Sequence, residues 1–133
     1  TREETQLEMQ NIKAYFNAIY EKEIQSYPDK KLIVLGYSQG VSVAMRWIAQ
    51  SKINCDKLLI HSGGIPVELC VKDFKVLSFK AYLIYGKSDP YITENRAQQE
   101  IQKAENLFGN DFEVLAFEGK HEVNQEILKT FDM

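Results

Sequence analysis

The chain has 133 residues, with 16 Lys and Arg against 19 Asp and Glu and a formal net charge of −3. Hydrophobic residues make up 44% and charged residues 26%, which excludes a disordered chain and fits one domain over residues 1–133. The near balance of charge offers no electrostatic footprint for nucleic acid or an anionic membrane.

Residues 3–26 form the first predicted element, an amphipathic helix. Leu7, Ile12, Tyr15, Phe16, Ile19 and Tyr20 recur at three- and four-residue spacing, with Glu, Gln, Lys and Asn elsewhere. Tyr27-Pro28-Asp29 is expected to end it, because Pro28 disfavours helical geometry in the residue before it. Residues 31–37 follow with four consecutive aliphatics, Leu32-Ile33-Val34-Leu35, and predict a strand buried on both faces. A helix is expected over 41–48. Residues 57–61 make a second short apolar strand, closed by Ser62-Gly63-Gly64-Ile65-Pro66. A third spans 81–85 and runs into Gly86-Lys87-Ser88-Asp89-Pro90. Thr93 is the expected N-cap of a helix reaching about Leu107, which Gly109-Asn110 ends. Residues 112–117 form the fourth strand, Gly119-Lys120-His121 the next turn, and 123–130 a last short helix. Strands alternating with helices predict an α/β fold of three layers, α/β/α, around a mainly parallel sheet.

Cys55 and Cys70 are too few for a disulfide scaffold and have no His partners at ligand spacing, so no metal is expected. Both are read as reduced core thiols of a cytoplasmic protein. The longest apolar-looking stretch, 32–49, is broken by Gly36, Ser38, Gln39, Gly40, Ser42 and Arg46, so no membrane span is expected. The chain starts Thr1-Arg2-Glu3-Glu4 without a signal-peptide layout, and the missing initiator Met reads as a fragment or a trimmed chain.

Gly36-Tyr37-Ser38-Gln39-Gly40 fits G-x-S-x-G and lies between the first apolar strand and a helix, the context that pattern requires. A sharp strand-to-helix turn strains the serine backbone and projects its hydroxyl from the carboxyl edge of the sheet. Gly36 and Gly40 are expected to let strand and helix approach, and the Gln39 N–H to point at a reacting carbonyl oxygen. A serine hydroxyl needs a base, and the base needs an orienting group. Of the two histidines, His121 follows the last strand and can reach the carboxyl edge; His61 ends a strand and fits a packed position near the pocket better. Asp89, presented by a turn that Pro90 stiffens, is the leading acid. Asp73 and Asp111 precede strands, at the wrong end of a parallel sheet, while Glu118 and Glu122 lie too close to His121 along the chain to hold its far nitrogen well. Ile65, Pro66, Tyr91 and Ile92 follow strand ends and are candidates to line an apolar pocket, with ordinary loop packing as the alternative.

With these residues in place, the chain resembles the carboxyl-terminal part of an α/β-hydrolase, and most of all the phospholipase/carboxylesterase family, which includes acyl-protein thioesterases. The resemblance runs from about Lys30 to the end. It rests on Gly36–Gly40, Ser62-Gly63, the stretch from Tyr85 to Ile92, and Gly119-Lys120-His121. It implies hydrolysis of carboxylic esters or thioesters through an acyl-serine, with no metal or organic cofactor. Ser38 would be the nucleophile, His121 the base and then the acid, and Asp89 the group orienting it. The family also has strands before the leading helix, one of whose loops supplies a second oxyanion N–H, and this sequence does not represent them. Val41 stands where relatives often keep a smaller residue, which bears on the pocket floor. The strand at 32–35 would then be an exposed edge, covered by a preceding segment of a longer protein or by another chain. The competing readings are a noncatalytic scaffold, or an inactive fragment that keeps the three residues but needs a missing N-terminal segment for a working oxyanion site, and a peptidase of the same fold.

Overall fold

Four strands, β1 (Ile33–Tyr37), β2 (Lys57–His61), β3 (Lys80–Gly86) and β4 (Phe112–Phe117), lie in that order in one sheet, each neighbouring pair parallel. The structure, a computed structural model, describes residues 2–24 and 31–131. Parallel neighbours need a long return connection. Helix α2 (Gly40–Ser51) makes the first, a loop with the short α3 (Val71–Phe74) the second, and α4 (Glu94–Phe108) the third. Before them comes α1 (Arg2–Ile19), which continues as a π-helical turn over Tyr20–Ile24; α5 (Gln125–Lys129) follows β4.

Alternation along the strands divides the apolar side chains between two cores. Leu58, Ile60, Ala81 and Leu83 pack on one face with Met45 and Ile48 of α2, Phe74 of α3 and Ala104 of α4. Leu59, Ile84 and Phe117 pack on the other with Phe131, Ile127 and Leu128. The layers are therefore α/β/α. Helix α2 buries Val41, Ala44, Met45, Ile48 and Ala49, the i, i+3, i+4, i+7 and i+8 stripe that fixes its face against the sheet. Met45 and Ile48 are both fully enclosed, and truncating Ile48 to Ala would cost about 2–5 kcal/mol. Helix α4 starts where Thr93 accepts the Arg96 N–H and stops at Gly109, whose φ of 59° lets its N–H return to the Glu105 carbonyl.

Several expectations change on contact with the structure. Leu35 of β1 is 42% exposed, so the strand is not buried on both faces as its apolar run alone predicts; β1 pairs only with β2 among the described residues and is the exposed edge that the resemblance implies. The apolar stripe expected for α1 is only partly used. Phe16 and Tyr20 meet the Trp47 ring and Asn17 accepts its indole N–H at 2.9 Å, while Leu7, Tyr15 and Ile19 face outward. The expected stop at Tyr27-Pro28-Asp29 lies outside the described residues. Cys55 is buried as expected, and burial, with the neighbouring Asp56 charge, pushes its thiol up to about 12. Cys70 is exposed instead, at the start of α3, where its backbone N–H donates to Asp73 Oδ2 at 2.8 Å. One turn is too short to leave a helical period in sequence, so α3 was not foreseen. Among the described residues no helix is long and apolar enough to cross a membrane.

The consequence for function is positional. The strands end side by side: Tyr37 is in register with His61, His61 with Ile84, and Gly86 with Phe117. Every loop leaving a strand therefore opens on the same edge of the sheet.

Candidate active site

Ser38 is the first residue past β1 and has φ 55°, the left-handed region that L-residues with a Cβ rarely occupy. Two hydrogen bonds hold it there. Its N–H donates to the His61 carbonyl at 2.9 Å, as if β1 continued, and its own carbonyl accepts the Val41 N–H of α2 at 3.2 Å. Gly36 makes the bend possible, since a Cβ there would lie 2.7 Å from Val41 Cα. Gly40 does not share this role: a Cβ there would meet nothing within 4 Å. The second close approach belongs to Gly63, where a Cβ would lie 2.2 Å from the Ser38 carbonyl oxygen and 2.5 Å from Val41 Cγ2. Val41 is thus buried beneath the bend rather than on the wall of a pocket. Gln39 is the N-cap of α2, where backbone N–H groups have no carbonyl within the helix to bind.

The loops after β3 and β4 are fastened to each other. The Lys87 N–H donates to the Phe117 carbonyl at 2.8 Å and the Ser88 N–H to the Gly119 carbonyl at 2.9 Å. Gly86 admits this contact, since a Cβ there would lie 2.4 Å from the Lys120 carbonyl oxygen. The result brings Asp89 to His121. Asp89 is buried, and its Oδ2 lies 2.7 Å from His121 Nδ1. Its Oδ1 accepts the N–H groups of Tyr91 at 2.8 Å and Ile92 at 3.3 Å, so the carboxylate is tied down by its own loop. Nε2 of His121 lies 3.0 Å from Ser38 Oγ. Serine, imidazole and carboxylate form one row of hydrogen bonds. The imidazole is held between two aromatic rings, Tyr37 at 5.4 Å and Tyr91 at 4.9 Å between centroids, and the Tyr37 hydroxyl donates to the His121 carbonyl at 3.1 Å.

Behind this row lies His61, fully buried between Tyr37 and Phe117. Its Nε2 accepts the Asn124 N–H at 3.0 Å, and a backbone N–H only donates, so that nitrogen carries no proton. Burial first, and the nearby His121 second, lower its pKa from 6.5 to about 4. The ring is therefore neutral at pH 7, its proton is on Nδ1, and that N–H donates to Ser62 Oγ at 2.7 Å. Ser38, Ser62, Tyr91, Ile92 and His121 all line an open cleft of about 760 Å³, together with Arg46 and Arg96. Among the described residues no group of three or more His, Cys, Asp or Glu is placed to hold a metal ion.

The profile of the Phospholipase/Carboxylesterase family matches residues 1–132. The chain belongs to that family. Its fold is similar to that of Zea mays acyl-protein thioesterase 2, with a TM-score of 0.68 at 16% identity over 92% of this chain and 61% of that one. Bacillus cereus carboxylesterase gives a TM-score of 0.70 at 11% identity, covering 98% of this chain and 60% of that one. The Pyrococcus furiosus esterase Pf2001 gives 0.65 at 16% identity, with coverage of 93% and 59%. The chain therefore spans about three-fifths of the length of these solved relatives. A sequence search among curated proteins finds no significant match.

Of the residues singled out from the sequence, the structure brings Ser38, Asp89 and His121 together, with Gln39 next to Ser38. Tyr91 and Ile92 line the cleft, whereas Ile65 is in the core and Pro66 is buried away from the cleft wall. Glu118 is taken by Lys87 at 2.9 Å and Glu122 Oε1 by the Lys120 N–H at 3.2 Å, so neither serves His121. Sequence reasoning missed Tyr37 and Gly63 as parts of the site. Tyr37 carried a signal, its place between Gly36 and Ser38. Nothing in the local sequence shows that Gly63 meets Ser38, 25 positions earlier, because that contact comes from strand pairing.

Proposed function

We propose that this chain carries the catalytic residues of a serine hydrolase acting on carboxylic esters or thioesters. The single observation behind the reading is the row Ser38 Oγ–His121 Nε2–His121 Nδ1–Asp89 Oδ2, at 3.0 and 2.7 Å. With Asp89 accepting from Nδ1–H, the bare Nε2 faces the serine and can take its proton. Ser38 Oγ then bonds to the substrate carbonyl carbon, and the carbonyl oxygen gains charge beside the Gln39 N–H and the N-terminus of α2. His121 passes the proton to the departing alkoxide or thiolate, which leaves an acyl-serine. Water, deprotonated by the same nitrogen, attacks the acyl carbon and releases the acid and free Ser38.

The remaining expectations join this reading. Residues 1–133 form a single partial α/β-hydrolase domain that works without a cofactor in the cytoplasm. Further chain or a second copy covers the β1 edge, whose apolar Leu35 is open. Light scattering that finds only a monomer of this chain, stable in dilute solution, would count against the covered edge.

The test of the chemistry is covalent labelling by a fluorophosphonate, followed by mass spectrometry. In the full-length protein, labelling of Ser38, lost in Ser38→Ala and strongly slowed in His121→Ala, is the expected result. A folded protein that is not labelled, or is labelled elsewhere, would favour the noncatalytic scaffold and end the hydrolase reading. Acyl esters, acyl thioesters and peptides as substrates then separate an esterase from a peptidase.

A further inference from the structure

The chain is net acidic at −3, yet the cleft beside Ser38 is lined by two arginines, Arg46 and Arg96, and by no carboxylate among the described residues. Among the described residues, each guanidinium group is anchored through its Nε edge to one carboxylate. Arg46 projects from α2 one turn beyond Ser42 and bonds through Nε to Glu68 Oε1 at 2.6 Å. Glu68 is itself half exposed and occupies only that edge. Arg96 bonds through Nε to Glu100 Oε2 at 3.4 Å. Guanidinium presents five donors in a planar fork, so an Nε contact leaves the terminal amino groups for a ligand.

Arg96 has the more telling surroundings. It lies in the first turn of α4, where the helix dipole disfavours a cation and acidic residues are preferred. Glu100, 1% exposed, does not cancel it, because the same carboxylate also meets Lys103 Nζ at 2.9 Å and the Ile65 N–H at 2.6 Å. One buried negative charge is thus shared by two cations, and the cluster keeps a net positive charge. The Arg96 guanidinium lies so close over Gly64 that a Cβ there would be 2.5 Å from one of its terminal nitrogens. The missing side chain at Gly64 gives the guanidinium its place on the cleft wall.

We propose that Arg46 and Arg96 form an oxyanion subsite of this cleft and select esters that carry a carboxylate or phosphate on the acyl or leaving part. The proposal rests on the hydrolase reading above and names its substrate class. A charge-assisted, forked contact to an oxyanion is among the stronger hydrogen bonds available in a half-open site. The cleft keeps its neutral Tyr91 and Ile92 for the uncharged part of the molecule.

The test compares kcat/KM of the full chain for mono(4-nitrophenyl) succinate and 4-nitrophenyl butyrate, which differ in a terminal carboxylate. The charged ester is expected to be preferred about tenfold or more, through KM. That ratio should fall toward one in Arg46→Gln/Arg96→Gln, and also in the unaltered protein at 0.5 M NaCl, a measurement that needs no variant. Equal turnover of the two esters, or a preference that survives both changes, overturns the proposal. If neither ester is turned over, the hydrolase reading fails, and a titration followed by amide NMR decides the subsite separately. Succinate or inorganic phosphate, but not succinamide, should then shift the signals of Gly63 and Gly64, and the two anions distinguish carboxylate from phosphate recognition. Succinamide binding as well as either anion would end the proposal.

Discussion

Gly63 touches Ser38 backbone to backbone: a β-carbon on Gly63 would lie 2.2 Å from the Ser38 carbonyl oxygen. That oxygen also accepts the Val41 N–H that starts α2, so the bend, the loop after β2 and the helix meet at one atom. Gly63→Ala has no flexible side chain to push aside. It must move backbone, at a cost of about 1–3 kcal/mol. The reactivity of Ser38 should fall further than the stability does, because a shift of the bend misaims the hydroxyl at His121. Urea unfolding and the rate of fluorophosphonate labelling measure the two effects. A Gly63→Ala protein that matches the parent in both would mean that this contact does not shape the site.

Asp89 has two separable tasks. Oδ1 holds its own loop through the N–H groups of Tyr91 and Ile92, and Oδ2 faces His121. Asp89→Asn keeps a carbonyl oxygen for the loop and can place an amide donor against Nδ1, which favours the wrong imidazole tautomer. We expect near-parental unfolding in urea and a loss of Ser38 reactivity of roughly 10³–10⁴. Asp89→Ala should lose the loop bonds as well, for an additional cost to stability of about 1–2 kcal/mol. An Asn variant labelled at the parental rate would remove Asp89 from the orienting role.

How much of this was legible in the sequence follows from the range of each interaction. β2 and β4 were readable to the residue, since short apolar runs between turn residues carry their own boundaries. Thr93 as the N-cap of α4 was equally local. Ser38 was legible from the local G-x-S-x-G motif, but its convergence with His121 and Asp89 was inferred because parallel topology puts all strand exits on one edge, a rule about folds rather than about neighbouring residues. Gly40 misled for the opposite reason. It fits the motif, yet the space around it is open, and the steric demand falls on Gly63 instead. The outward-facing Leu7, Tyr15 and Ile19 of α1 show that a periodic stripe marks a face capable of burial, not one that is buried.

His61 makes stability depend on pH in a stated direction. Burial holds its folded pKa at about 4, against 6.5 for an unperturbed histidine. Between those values the unfolded chain binds a proton that the folded one refuses, so stability rises with pH across that window. The contribution is complete above pH 6.5 and is lost as the pH falls toward 4, on the order of 3 kcal/mol in all. His61→Phe removes the titration. It also strips Asn124 N–H and Ser62 Oγ of their partner, so the variant should be less stable at pH 7.5 but flatter between pH 6.5 and 4.5. Urea midpoints over that range test it, and equal slopes for parent and variant would show that His61 is not the group responsible.

Ser38 keeps a left-handed backbone that only its surroundings enforce, and this can be weighed without reference to activity. In an ordinary position Gly is less stable than Ala, because it has more freedom to lose on folding. At φ 55° the order should reverse, since Ala carries the Cβ strain and Gly does not. Ser38→Gly and Ser38→Ala both lack the hydroxyl, so the bond to His121 cancels between them and the difference reports the bend alone. We expect the Gly variant to be more stable by about 0.5–1 kcal/mol, a shift of several degrees in Tm for a domain of this size. An Ala variant that melts at or above the Gly variant would show that the bend is relaxed rather than strained, and that the serine is not held forward by its backbone.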